Sequence, residues 1–151
     1  FWHQRSRVLV MNKFKIGSDI CSIERVNSVW TKYGERFLDK VLTAGEKKYV
    51  LSVKPEDAAS KIAARFAAKE ATVKALGTGF KGVSFQEIEV VRKPSGEPSL
   101  KLSGRAAELQ RQLNLQAFEL TISHEREYAI AFVLGYGMTE SIVKQTHDTD
   151  S

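Results

Sequence analysis

The stretch Arg65 to Gly79, RFAAKEATVKALGTG, constrains the fold more than any other part of the chain. It closes a run that opens at Pro55, Glu56 and Asp57 and includes Ala58, Ala59, Ala63, Ala64, Ala67, Ala68, Ala71 and Ala75. Proline is tolerated in a first helical turn, acids suit the N-terminal end, and glycine favours the C-terminal stop, which Gly77 to Gly79 provide. The run therefore reads as one long helix. Alanine couples high helix propensity to a side chain small enough for a sheet to approach closely. The same segment carries Arg65, Lys69, Glu70 and Lys74. Such charges are expensive to bury without partners, so they either solvate one face or assemble a site.

Shorter elements flank this helix. KFKIGSDI reads as a strand, and Ser22 can cap a following helix through its hydroxyl, although Arg25 stands where a full capping box needs Glu or Gln. IERVNSVWTKYGERFLDKVL spaces its apolar residues mostly as helix, with a break at Tyr33 and Gly34. Thr43 and Glu46 have the reciprocal spacing of a capping box. Beyond Gly82, SFQEIEVV, PSLKLS, AFELTIS and YAIAFVL read as strands, with SGRAAELQRQL as a short helix among them. A turn at Lys93 to Pro98 and a hairpin at SHERE complete the pattern. The expected fold is α+β, a mainly antiparallel sheet packed against a long central helix. Residues 1–10 read as a leader or an added segment and are set aside, residues 11–137 as one domain, and residues 138–151 as a polar, loose tail.

A length of 151 residues suits a single domain. No apolar run approaches the roughly 20 residues of a membrane span, so no membrane association is expected. Cys21 is the only cysteine, which excludes an intramolecular disulfide and leaves too few ligands for a thiolate metal site. A reducing cytoplasm is the expected setting. The balance of 23 basic to 18 acidic residues, a formal +5, favours an anionic partner but is modest beside a nucleic-acid stripe. Charge alone leaves nucleotide, nucleic acid and acidic protein all open as partners.

Individual positions admit two readings each. Glu70 and Lys74 are four apart on one helix face, which is either an exposed ion pair or a metal ligand beside a phosphate-binding amine. Asp19, in GSD at a strand end, is either a cap or a carboxylate aimed at a site edge. If the first strand lies beside the central helix, Asp19 and Glu70 supply two hard oxygens, enough for magnesium when water and phosphate oxygens fill the remaining positions. His124, after an apolar strand, is a turn residue or a phosphate contact. GTGF and GVS terminate the helix or approach phosphate, but they match neither a Walker loop nor a dinucleotide fingerprint. Arg25, Arg36, Lys40, Lys47 and Lys48 are solvated charge over a core, or a surface that steers an acidic protein.

Four segments in order, IGSDICSIERV, RFAAKEATVKALGTG, GEPSLKLSG and TISHEREYAIAFV, resemble the holo-acyl-carrier-protein synthase family of small phosphopantetheinyl transferases. The resemblance covers nearly all of Met11 to Leu134. It implies transfer of 4'-phosphopantetheine from coenzyme A to a serine of apo-acyl carrier protein, with release of adenosine 3',5'-bisphosphate. It also implies magnesium on Asp19 and Glu70, a catalytic part for Glu70 and Lys74, coenzyme A phosphates held by Arg65, Lys74 and His124, and a carrier-protein surface at Arg25, with Arg36 and Lys40 adding to its charge. A homotrimer with active sites between subunits is implied as well, and no nucleic-acid partner. Cys21 and Ser22 depart mildly from the pattern and remove none of these groups.

Overall fold

The computed structural model describes residues 5–144. A strand β1 (Arg5–Ser22) leads into α1 (Ile23–Tyr33), α2 (Glu35–Val41), α3 (Ala44–Ser52) and the long α4 (Pro55–Leu76). After a 3-10 turn at Phe85–Glu87 come β2 (Ile88–Arg92), β3 (Pro98–Leu102), α5 (Gly104–Gln112), β4 (Ala117–His124) and β5 (Tyr128–Lys144). The strands form a three-stranded antiparallel sheet in the order β1-β5-β4, and a separate β2-β3 hairpin.

The local signals explain the boundaries. The Ser22 hydroxyl accepts from the Arg25 amide, and Thr43 and Glu46 make the reciprocal capping box. Gly34, at φ 59°, ends α1 where Tyr33 and Gly34 predicted the break. Pro55 opens α4, and Gly77 closes it in the left-handed region at φ 81°, its amide donating to the Val73 and Lys74 carbonyls. Gly77 thus fills the helix-stop role.

The alanines of α4 face the sheet. Ala67, Ala68, Ala71 and Ala75 pack with Leu120, Ala131 and Val133, while Ile62, Ala63 and Ala64 join Val26, Leu38, Val41 and Val50 in a second part of the core. The approach is closest at Gly17, where an added Cβ would lie 1.9 Å from the Ala71 carbonyl oxygen. Glycine is required there by contact with the helix backbone.

Strand pairing crosses both boundaries drawn at residues 10 and 137. Arg5–Val10 of β1 pair with Thr139–Lys144 of β5, past an irregularity between Met11 and Lys13. The tail expected to be loose after Gly137 is therefore strand as far as Lys144. Backbone ladder bonds hold such a ribbon whatever its side-chain polarity. Residues 145–151 of that tail lie outside the described residues.

Candidate active site

Gly17 sets Asp19 in place. With β1 resting on the backbone of α4, the Asp19 side chain projects from the strand on the same side as Gly17, toward the helix. Lys74 reaches across: its Nζ donates to the Ser18 carbonyl at 2.9 Å and to Asp19 Oδ1 at 3.1 Å. Of the two readings of Glu70 and Lys74, the exposed pair along the helix is replaced by this tertiary one. Asp19 offers the ammonium a fixed carboxylate and a neighbouring carbonyl together, which a partner on the same helix does not.

Glu70 belongs to the same cluster. Partial burial pushes its carboxyl above the ordinary glutamate range, the negative charge of Asp19 pushes it further, and Lys74 opposes both. Cys21 senses the group too: burial pushes its thiol up to about 11, with Asp19 and Glu70 acting in the same direction and Arg25 against it. Asp19 and Lys74 therefore meet within one chain, and the charges of both act on Glu70.

The two carboxylates suit a hard divalent cation. Like charges held together in a partly buried setting are relieved by a cation between them. No group of three or more His, Cys, Asp or Glu side chains suited to a metal occurs among the described residues. A two-carboxylate site fits an ion such as magnesium, which keeps waters and takes phosphate oxygens.

Arg65 and His124 meet elsewhere. They line a cavity of about 170 Å³ together with Lys61, Tyr49 and Arg92. Arg65 is only 5% exposed, and its guanidinium stacks on the Tyr49 ring at 4.4 Å. Burial pushes its pKa below the usual arginine value, an effect that the charge of Glu46 offsets in part. Sequence reasoning missed Lys61, Tyr49 and Arg92. Lys61 had a weak signal, standing four residues before Arg65 on one helix, whereas Tyr49 and Arg92 reach the cavity only through the tertiary fold.

Arg25, Arg36 and Lys40 are exposed on α1 and α2. Arg36 and Lys40 edge a cavity of about 450 Å³ whose walls include Val29, Tyr33, Phe37 and Phe66. Lys47 is instead bound to Asp39 at 2.8 Å and lies 3.7 Å from Glu35. Lys69, named with the charged face of α4, is fully buried. Its Nζ donates to Glu46 Oε1 at 2.6 Å, the Val41 carbonyl at 2.7 Å and the Phe85 carbonyl at 3.0 Å.

Residues 15–133 match the ACPS group of the 4'-phosphopantetheinyl transferase superfamily. The chain belongs to that superfamily. Among the relatives of this transferase, a holo-[acyl-carrier-protein] synthase of Gloeobacter violaceus is 46% identical over 119 residues, 79% of this chain and 89% of that one. The crystal structure of the corresponding synthase from Neisseria meningitidis superposes with a TM-score of 0.72 at 34% identity, covering 80% of the transferase and 96% of that chain. The Helicobacter pylori synthase in complex with coenzyme A gives 0.69 at 33% identity, covering 80% and 98%. The mixed fold of sheet and long helix is the fold of this family.

Proposed function

We propose that this transferase acts as a magnesium-dependent holo-acyl-carrier-protein synthase. It moves 4'-phosphopantetheine from coenzyme A to a serine hydroxyl of apo-acyl carrier protein. The serine oxygen bonds to the phosphorus that carries pantetheine, the diphosphate bridge breaks, and adenosine 3',5'-bisphosphate leaves. The single observation that carries this reading is the convergence of Asp19, Glu70 and Lys74 within a chain that has this family's fold.

Asp19 and Glu70 are the residues that would hold magnesium. When bound, the ion supplies charge neutralisation on the diphosphate and polarises a phosphoryl oxygen. Lys74, half-exposed and already oriented by Ser18 and Asp19, offsets negative charge on the departing phosphate. Glu70 takes the serine proton directly or through a water. Arg65 and His124 bind a nucleotide phosphate in their basic cavity, while Arg25, Arg36 and Lys40 face the acidic carrier protein.

A homotrimer with sites between subunits is part of this reading. The outward face of the main sheet exposes Phe14, Ile16, Ile20 and Phe132, with Ile16 at 77% and Phe132 at 57%. Contiguous apolar surface of this kind marks an interaction face. A cavity of about 620 Å³ joins Ile16, Phe132 and Leu134 to Lys74 and Thr121. A second copy seated on this face therefore abuts the Lys74 cluster.

The test is intact-mass measurement of apo-acyl carrier protein after incubation with the transferase, coenzyme A and magnesium. The expected result is a covalent phosphopantetheine addition that vanishes when the carrier serine is replaced. No addition, with carrier protein and transferase both folded, overturns the reading.

A further inference from the structure

Past Gly137 the main sheet narrows to two strands. β4 pairs with β5 only as far as Tyr136, so residues 5–11 and 138–144 form a ribbon with no third strand. At about 3.3 Å per residue it projects roughly 20 Å beyond the rest of the sheet. The ribbon lies outside residues 15–133, so the family's pattern does not account for it.

Both faces of the ribbon are apolar. Residues directly opposite one another share a side of the sheet, and alternate residues along a strand keep it. Met138 and Ile142 therefore lie on the outward side with Phe132, and Met11 and Leu9 join them through pairing with Met138 and Glu140. The irregularity between Met11 and Lys13 makes this possible, because a strict alternation would turn Leu9 and Met11 to the side of Gly17. Leu9 is 67% exposed and Ile142 61%, so the apolar face of Phe14 and Ile16 runs on along the ribbon. The other side carries Val8, Val10 and Val143, each between 42% and 46% exposed.

The described residues leave both faces uncovered. A lone two-stranded ribbon is marginally stable at best in water. The ion pair along it, Arg7 with Glu140 at 3.9 Å, has both side chains mostly exposed and contributes little.

We propose that this ribbon is a clasp between copies of the chain, with each of its two faces seated on a different neighbour. This rests on the reading that the outward sheet face carries the subunit contact. Continuity identifies the occupant: a second copy that covers Ile16 and Phe132 meets Met11 and Leu9 along the same apolar surface. Two-sidedness identifies the arrangement. In a closed ring each copy meets its two neighbours through different surfaces, whereas a two-fold dimer uses one patch twice.

The experiment is sedimentation of the full chain down to nanomolar concentration, unmodified and with two pairs of substitutions. Leu9→Lys with Ile142→Glu charges the outward face, and Val8→Lys with Val143→Glu charges the other. Glu140 stands opposite Leu9 and Arg7 opposite Ile142, so the first pair sets unlike charges across the ladder and spares the ribbon of a single copy. Each pair should raise the concentration for half-dissociation by about 10-fold or more, since it puts charge where large apolar side chains were covered. Hydrogen exchange supplies a second measurement that needs no dissociation: the ribbon amides should exchange at least about 10-fold faster in either variant than in the unmodified assembly. Unchanged assembly and unchanged exchange for the pair on either face overturn the proposal. If Ile16→Glu is monomeric in the same runs, the sheet-face reading survives that failure. An unmodified protein that is monomeric throughout overturns both. Flotation with anionic vesicles, together with assembly that neither pair weakens, assigns the ribbon to a membrane surface and overturns the clasp.

Discussion

Lys74 is bound to Asp19 across 55 residues of chain, at 3.1 Å, although Glu70 stands one turn before it on the same helix. A carboxylate four positions earlier is the common partner for a helical lysine, worth only a few tenths of a kcal/mol at an exposed site. The pair that forms instead ties β1 to α4 at the place where the proposed functional groups lie.

That tie depends on Gly17. Gly17→Ala is expected to push β1 off the helix, because the new methyl would meet the Ala71 carbonyl oxygen at 1.9 Å and the Ala75 amide nitrogen at 2.9 Å. Stability should fall by about 1–3 kcal/mol. Transfer activity should fall at least tenfold under conditions where the variant stays folded. Urea unfolding and the intact-mass assay check the two parts, and a variant of full activity would show that Asp19 is placed by something else.

Glu70 should trade stability for function. Its carboxyl is pushed up in the folded protein, so the folded state favours the protonated form. In the metal-free protein this favours folding below the pKa of the unfolded chain and is lost as pH rises through the folded value. Glu70→Gln removes the ionisation and is expected to be at least as stable as the parent at pH 7, with the difference shrinking toward pH 4. Its transfer activity should drop by about 100-fold or more. Melting temperatures across pH, measured in chelator, supply the check.

The buried Lys69–Glu46 pair carries a different expectation. Glu46 accepts from Lys69, the Thr43 amide and the Val90 amide, so one carboxylate joins α3, α4 and β2. Lys69→Met leaves that carboxylate buried and uncompensated, which is expected to cost about 3–5 kcal/mol. A loss below about 1 kcal/mol in urea unfolding would show that the charge is not confined as described.

Arg25, Arg36 and Lys40 should act on the protein substrate alone. The triple replacement by Ala is expected to weaken association with apo-acyl carrier protein and to flatten its salt dependence, with coenzyme A binding changed less than twofold. Binding isotherms at two ionic strengths distinguish this from a general loss of folding.

The outward sheet face makes a prediction about assembly. Ile16→Glu places a charge on the most exposed large apolar side chain among the described residues and should shift the protein toward monomer in sedimentation, with its helical circular dichroism retained. An unchanged oligomer would locate the subunit contact elsewhere.

Much of this was legible in the sequence. The helix from Pro55 to Gly77, the Thr43–Glu46 box and the break at Gly34 are local events, decided by caps, propensity and backbone freedom within a few residues. The resemblance named Asp19, Glu70 and Lys74 as one group; the fold pairs Asp19 with Lys74 and leaves Glu70 under the influence of both charges. The partner of Lys74, the burial of Lys69 against Glu46, the stacking of Arg65 and Arg92 on Tyr49, and the pairing of residues 5–10 with 139–144 were not legible. Each joins positions far apart in the chain. No periodicity or spacing rule encodes such a contact, because its energy exists only once separate elements have packed.

By itself, then, the order of residues determined which segments become helix or strand and which chemical groups are available. Tertiary structure alone decided which charges meet, since a buried cation takes the carboxylate that geometry and desolvation leave within reach. Glycine at position 17 links the two levels: a residue chosen in the sequence for having no side chain, and explained only by the helix backbone that fills the space.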